Sequence, residues 1–432
     1  MKTPTTAEGR TASDASTGYS NSASADLGAA RTVLSLMRSI EDIGRDRARG
    51  GYSRPVYGSA ELELRSWFLE AAAQRDLDVE TDRNGIMWAW WYAPGKQRRD
   101  AVVTGSHLDS VPGGGAYDGP LGVASSLAAI DVLRDRGFVP SRPIVVAVFP
   151  EEEGSRFGVA CLGSRLLTGA ISPERALALR DGEGVTFAQA LTTQGGRGDR
   201  IGADRDMLAR IGIFLELHVE QGRGLIDLGA PVGVASSILG HGRWRLSAHG
   251  QGNHAGTTLM AGRQDAMVAA ARTVVAVREI ALEHSGARAT VGRLQPIPGG
   301  TNVIASRVDF WLDVRHAEDA VTAVIVEKIH AEARRLAAEE GCTMELVEES
   351  VSGTVHFDAT LGLELSVATG GSPMLPTGAG HDAGVLASEV PTAMLFVRNP
   401  TGISHSPEEL CEDDDARLGT VALADALAHH AG

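Results

Sequence analysis

Residues 101–136 read, in order, as a buried strand, a glycine-rich loop and an amphipathic helix, and that order admits few folds. Ala101, Val102 and Val103 open the apolar run, and Gly113, Gly114 and Gly115 punctuate the loop. Pro120 suits the first position of a helix, where its missing N–H costs no hydrogen bond. Val123, Leu127, Ile130 and Leu133 then recur at helical spacing and define the face that packs back on a sheet. Such a unit belongs to an open α/β sheet, which gathers its ligand groups at the carboxyl ends of its strands. His107 and Asp118 lie in the loop, and both are candidate metal ligands.

A solvated turn also contains His and Asp, so the reading rests on recurrence. Three more apolar runs end in metal-type or acid-base residues. Residues 143–150 run into Glu151, Glu152 and Glu153, residues 211–217 into His218, and residues 392–397 are followed by Ser404 and His405. His107, Asp118, Glu153, His218 and His405 are a donor set of the kind and number that two divalent ions require. Imidazole and carboxylate suit zinc, manganese, nickel or cobalt, and the sequence does not choose among them. Adjacent residues on an extended segment point to opposite sides, so Glu152 and Glu153 cannot both face one ion. If Glu153 binds, Glu152 is placed to take a proton from an attacking water and pass it to a leaving nitrogen.

The rest of the chain bounds the architecture. With 432 residues, 43% of them hydrophobic, it is long enough to divide into two or three domains. A formal charge of -15 argues against a nucleic-acid surface. Cys161, Cys342 and Cys411 are odd in number and far apart, which signals neither a disulfide framework nor a four-cysteine zinc site. No apolar run approaches the roughly 18 to 20 residues that span a bilayer. Residues 1–24 are polar and lack an apolar signal core, so the expectation is a cytoplasmic protein without membrane contact and with a disordered leader at 1–27.

Residues 29–47 and 60–75 predict two helices, with a loop between them in which Arg54 is expected to be solvated. The Trp-rich run 86–92 predicts a strand whose aromatics belong to the core or the sheet surface. From about residue 231 the texture changes: alternation at 244–249, a helix at 264–283, alternation at 289–294 and 308–314, and a helix at 320–339. This β-α-β-β-α order predicts an inserted α+β domain, ferredoxin-like, at 231–345. It interrupts a mixed-sheet α/β domain made of 28–230 and 346–432.

Taken together, Gly105-Ser-His-Leu-Asp109, Gly114-Gly-Ala-Tyr-Asp-Gly119, Glu151-Glu-Glu-Gly-Ser-Arg-Phe157, Glu216-Leu-His-Val-Glu-Gln-Gly222, Asn253-His-Ala-Gly-Thr-Thr258, Thr301-Asn302, Asp313-Val-Arg315, Gly378-Ala-Gly-His-Asp382 and Ser404-His405 resemble the hydantoinase/carbamoylase-type amidases. That family includes N-carbamoyl-L-amino acid hydrolases, β-ureidopropionase of the yeast type and allantoate amidohydrolase, within the dinuclear zinc aminoacylase and carboxypeptidase superfamily. The resemblance covers about residues 28–430.

It implies a zinc-peptidase-like catalytic domain, an inserted lid and dimerisation domain, and two divalent metal ions per subunit. Asp118 is then the bridging ligand, with His107 and His218 on one ion and Glu153 and His405 on the other. Glu152 falls on the general base, and Asp109 on the group that orients His107. His254 falls on the residue that polarises the scissile carbonyl, Asn302 and Arg315 on the clamp for a substrate carboxylate, and Gln221 and His381 on further polar contacts. The peptide between Asp118 and Gly119 is implied to be cis. The implied reaction is hydrolysis of the ureido C–N bond of allantoate or an N-carbamoyl-L-amino acid by a homodimer paired through the inserted domain. A dipeptidase or N-acyl-L-amino acid deacylase is the alternative on the same ligands.

Overall fold

The computed structural model describes residues 28, 30–92, 95 and 97–432, and the leader expected at 1–27 lies outside them. The described residues divide into two compact units, one running to residue 234 and taking in 360–374 and 381–432, the other of residues 235–359 and 375–380.

In the first unit, helices α1 (Thr32–Ser39) and α2 (Ser59–Ala73) precede strands β1 (Asp78–Thr81), β2 (Met87–Trp91), β3 (Ala101–His107), β4 (Ile144–Phe149) and β5 (Ile211–Val219), and β6 (Val232–Ile238) begins in it. Between them Arg54 departs from its expected exposure, being only 1% accessible. Its Nε donates to the carbonyl of Ile43 and its Nη2 to that of Ile40, and the guanidinium sits 4.1 Å from the Tyr52 ring centre. Carbonyls of the turn that follows α1 thus replace part of the water that the charge gives up. Burial still lowers its pKa, to about 10.

Trp88 and Trp90 of β2 are buried, with Trp88 edge-on to Phe149 of β4. All seven residues of β3 are buried as well, the mark of a strand covered on both faces. It runs parallel to β4 and β5, while β2 pairs with β4 and β1 with β2 antiparallel. A Cβ on Gly105 would fall 1.9 Å from the Ala147 carbonyl oxygen, so only glycine lets β3 lie this close to β4.

Helix α3 (Pro120–Asp135) carries the expected proline in its first turn. Val123, Leu127, Ile130 and Leu133 are fully buried in the main core, each contributing about 1.5 to 3 kcal/mol through its removal from water.

The second unit is a four-stranded antiparallel sheet built from β7 (Gly240–His249), β9 (Arg288–Ile297), β11 (Arg307–His316) and β12 (Thr343–Ser352), in the order β12-β7-β11-β9. Short strands β8 (Asn253–His254) and β10 (Val303–Ile304) pair separately. Alternate residues Trp244, Leu246, Ala248, Val308, Phe310, Leu312 and Val314 turn inward against helices α4 (Ala266–Leu282) and α5 (Asp319–Glu339). Strand β12 follows β7 from Thr343 to Ser352, which carries this unit past residue 345.

After β13 (Val355–His356) come helix α6 (Ala359–Ala368), strand β14 (Met374–Thr377), helix α7 (Asp382–Leu386), strand β15 (Thr392–Val397) and helix α8 (Asp413–Ala431). Strand β15 runs parallel to β5, so β4, β3, β5 and β15 form a parallel core in that order. Their carboxyl ends share one edge of the sheet. Among the described residues no helix is long and apolar enough to cross a membrane.

Candidate metal centre

Each of the four parallel strands delivers a functional side chain to that edge. His107 is the last residue of β3, Glu152 and Glu153 follow β4, His218 is next to last in β5, and His405 lies in the loop after β15. Both His405 and Glu151 hold positive φ, 56° and 55°, an arrangement costing about 1 to 3 kcal/mol that persists where surroundings enforce it.

Asp118 sits between two groups of donors. Its Oδ1 lies 3.6 Å from His107 Nε2 and 3.3 Å from His218 Nε2, and its Oδ2 lies 3.4 Å from His405 Nε2. His405 Nε2 is also 3.3 Å from Glu153 Oε2. His107, Asp118 and His218 therefore make one cluster and Asp118, Glu153 and His405 a second, each with its ligand atoms within 4.8 Å of one another.

The tautomers suit cations. His107 Nδ1 lies 3.0 Å from the Asp109 carbonyl and His218 Nδ1 2.9 Å from the Val219 carbonyl, so each Nδ1–H donates to the backbone. Both Nε2 atoms then keep a lone pair, and both are buried without a hydrogen-bond partner. The site is also rich in negative charge. Burial opposes an ionised Asp118, yet the imidazoles of His107 and His218 beside it hold its pKa well below the usual carboxylate range. Its hydrogen bond with Glu153 pushes the His405 pKa up to about 9. A carboxylate kept ionised among imidazoles fits divalent ions.

Asp109 meets His107 at Nδ1, with its backbone carbonyl at 3.0 Å and its carboxylate Oδ1 at 3.6 Å. The carboxylate also accepts the backbone N–H groups of Glu152 and Glu153, both at 3.2 Å. It thus fixes the turn from which the two glutamates diverge. Glu153 points to His405, while Glu152 places Oε2 3.7 Å from His107 Nε2 and accepts from Cys161 Sγ at 3.6 Å. Burial raises the Glu152 pKa well above the usual value. The implied cis peptide is absent: among the described residues the cis bond is Ile297–Pro298, and the chain turns after Asp118 through Gly119 at φ 85° and ψ -58°.

Comparison with known proteins places this geometry. The family described as Peptidase family M20/M25/M40 matches residues 103–429. The chain belongs to this family. Its members are metal-dependent hydrolases, in keeping with the donor clusters. The chain is similar to an N-carbamoyl-L-amino acid amidohydrolase of Geobacillus stearothermophilus, 37% identical over 326 residues, covering 74% of this chain and 80% of the relative. An allantoate amidohydrolase of Escherichia coli is 31% identical over 390 residues, covering 89% and 94%. A solved hydantoinase/carbamoylase family amidase from Burkholderia multivorans superposes with a TM-score of 0.83 at 32% identity, covering 93% of this chain and 98% of that one.

In this M20-family chain the first unit brings two further expected residues to the metal-type ligands. Gln221 Nε2 donates to Asp118 Oδ2 at 2.9 Å and lies 3.3 Å from His405 Nε2. His381 is buried with its ring centre 4.5 Å from that of His218, and burial together with His218 lowers its pKa well below the usual value. Both of its ring nitrogens lack a hydrogen-bond partner.

The second unit carries His254, Asn302 and Arg315. Exposed His254 accepts the Gly256 N–H on Nδ1 at 3.1 Å, which puts the proton of a neutral ring on Nε2. The carbonyl of Asn302 accepts the Ala255 N–H at 2.9 Å. Arg315 donates from Nε and Nη2 to Asp313 and from Nη1 to the Gly378 carbonyl.

Two residues escaped sequence reasoning. Glu409 accepts the Tyr117 and Asp118 N–H groups at 3.0 Å on one oxygen and the Ser404 hydroxyl at 3.2 Å on the other. Glu216, in β5, accepts from Ser106 at 2.9 Å and from the Ala383 N–H at 3.0 Å, tying β3 to α7 beneath the histidines. For Glu409 the sole signal was position, four residues after His405.

Proposed function

We propose that the chain hydrolyses the ureido C–N bond of an acyclic ureido acid, an N-carbamoyl-L-amino acid or allantoate, with release of ammonia and carbon dioxide. The observation that carries the reading is Asp118 shared between the His107–His218 and Glu153–His405 clusters with Glu152 alongside. The names of the amidohydrolase relatives supply the substrate class.

In this reading His107, His218 and Asp118 would hold one divalent ion and Asp118, Glu153 and His405 the other, zinc first, with manganese, nickel and cobalt as competitors. When bound, the ions act as Lewis acids toward the scissile carbonyl and the attacking water. Glu152 takes a proton from that water as its oxygen bonds to the carbonyl carbon. It returns the proton to the nitrogen as the C–N bond breaks. His254, with Nε2–H, donates toward the carbonyl oxygen, where negative charge develops. Asn302 and Arg315 receive the substrate carboxylate, and Gln221 and His381 complete the polar lining. The second unit also serves as lid and as the surface through which two chains pair.

The test strips the protein of metal, adds back zinc, manganese, nickel or cobalt, and measures ammonia release from N-carbamoyl-L-amino acids and allantoate. Cleavage of N-acetyl-L-amino acids and dipeptides, which frees no ammonia, is followed in parallel by release of the free amino acid. Turnover of ureido acids at least tenfold above the others is expected. Faster cleavage of N-acetyl substrates or dipeptides would overturn the reading in favour of a deacylase or dipeptidase.

A further inference from the structure

A further cluster of ligand atoms stands outside the parallel-strand edge. Glu364 of α6 and His429 and His430 of α8 bring one ligand atom each to within 4.8 Å of one another. The helices that carry them are fixed by the main core, through Leu361 and Leu365 on α6 and Leu427 and Ala431 on α8. Each pair is spaced i, i+4, so one face of each helix is buried and the polar residues beside it meet at the rim. The two histidines are neighbours in sequence, with ring centres 4.7 Å apart and planes at 78°.

His430 gives the cluster its direction. Its side chain is 12% exposed, and its Nε2 is buried without a hydrogen-bond partner, 3.7 Å from Glu364 Oε2. A buried imidazole nitrogen normally finds a partner, so this one calls for an explanation. Arg142 donates to the His430 carbonyl at 3.0 Å, which anchors the backbone and leaves the ring nitrogens out of that contact. Burial first, and then His429, lowers the pKa of the ring, which keeps it in the neutral form that binds metal. Both histidines lie in the last turn of α8, where the carbonyl end of the helix favours positive charge.

We propose that Glu364, His429 and His430 form a surface site for a divalent transition-metal ion, separate from the ions of the catalytic unit. Two imidazoles and one carboxylate suit nickel, zinc, cobalt and copper, and reject magnesium and calcium, which prefer oxygen. Tetrahedral coordination at about 2.0 to 2.1 Å brings donors to roughly 3.4 Å of one another, against 3.7 Å now between His430 Nε2 and Glu364 Oε2. The exposed side leaves room for water as the remaining ligand.

The test uses the full chain with its catalytic ions in place, titrated calorimetrically with nickel chloride and, separately, magnesium chloride. Wild-type protein should take up one further nickel ion per chain and no magnesium. Glu364→Gln, His429→Ala and His430→Ala should each weaken that uptake at least about tenfold while hydrolysis stays at the wild-type rate. Glu364 and His429 are exposed, so their variants decide the matter even if His430→Ala fails to fold. No additional nickel at millimolar concentration, or a further ion that survives these substitutions, would overturn the proposal.

Discussion

A methyl group on Gly119 would lie 2.5 Å from Cε1 of His107. The residue after the shared aspartate is thus held against the imidazole that Asp118 faces, and its φ of 85° is open chiefly to glycine. Gly119→Ala must strain the backbone and move the ring. Left-handed geometry costs an alanine about 1 to 2 kcal/mol, and overpacking about 1 to 3 more. The variant should melt earlier and lose metal from the His107 side, with turnover falling in step. Elemental analysis and thermal unfolding check this, and wild-type metal content at wild-type melting temperature would contradict it.

Glu152 and Glu153 leave the Asp109 carboxylate in different directions, and their substitutions should part accordingly. Glu152→Gln removes the proton acceptor but no donor of either cluster. It should keep both ions and lose at least about a hundredfold in turnover, since general-base assistance is worth roughly 10² to 10⁴. Glu153→Gln should lose metal instead. Equal metal loss in the two variants would reverse the roles of base and ligand.

The parallel edge was legible because its signals are local: an apolar run, then a polar residue that cannot stay in the core. His107, His218, Glu153 and His405 each follow that rule. Strand β12 was not, since an edge strand with Glu345, Glu348 and Glu349 exposed shows little alternation. Glu409 reaches Asp118 across 291 positions, a pairing that only the closed sheet creates. The Asp109 spacing was readable, but which of its oxygens faces His107 depends on a turn that no residue type specifies. Arg54 misled because a guanidinium is usually solvated, whereas here two backbone carbonyls and the Tyr52 ring take the place of part of its water.

Stability of the metal-free protein should fall as pH rises from acid to mildly alkaline conditions. Burial, and then Glu216, raise the Asp382 pKa from 3.8 to about 8. Between those two values the folded chain holds a proton that the unfolded chain has released. The stabilisation is therefore complete below 3.8 and lost as pH passes through about 8, at up to about 1.4 kcal/mol per pH unit. Asp382→Asn keeps an oxygen to accept the Ser164 hydroxyl and cannot titrate. Unfolding curves of the metal-free proteins from pH 5 to 8 should be flatter for the variant, and equal slopes would remove Asp382 from the explanation.

Arg315 carries the requirement for an acidic substrate in the proposed function, and its hydrogen bonds limit how it can do so. Three of its five N–H groups are engaged, two by Asp313 at 2.8 and 3.0 Å and one by the Gly378 carbonyl at 2.5 Å. Among the described residues that leaves one N–H on each Nη, a pair that can grip a carboxylate end-on while Asp313 holds the side of the fork. Removing the guanidinium leaves the substrate anion desolvated and unpaired. Arg315→Ala should therefore lower kcat/KM by a factor equivalent to about 2 to 5 kcal/mol. Arg315→Lys should recover little, because an ammonium cannot bind Asp313 and a carboxylate in one plane. A ureido substrate with a neutral amide in place of its carboxylate should be poor for the wild type and lose much less in Arg315→Ala. Steady-state kinetics on the acid and amide pair measures the difference. Equal losses on both would make Arg315 a brace between Asp313 and Gly378, and the preference for an acid would have to come from another group.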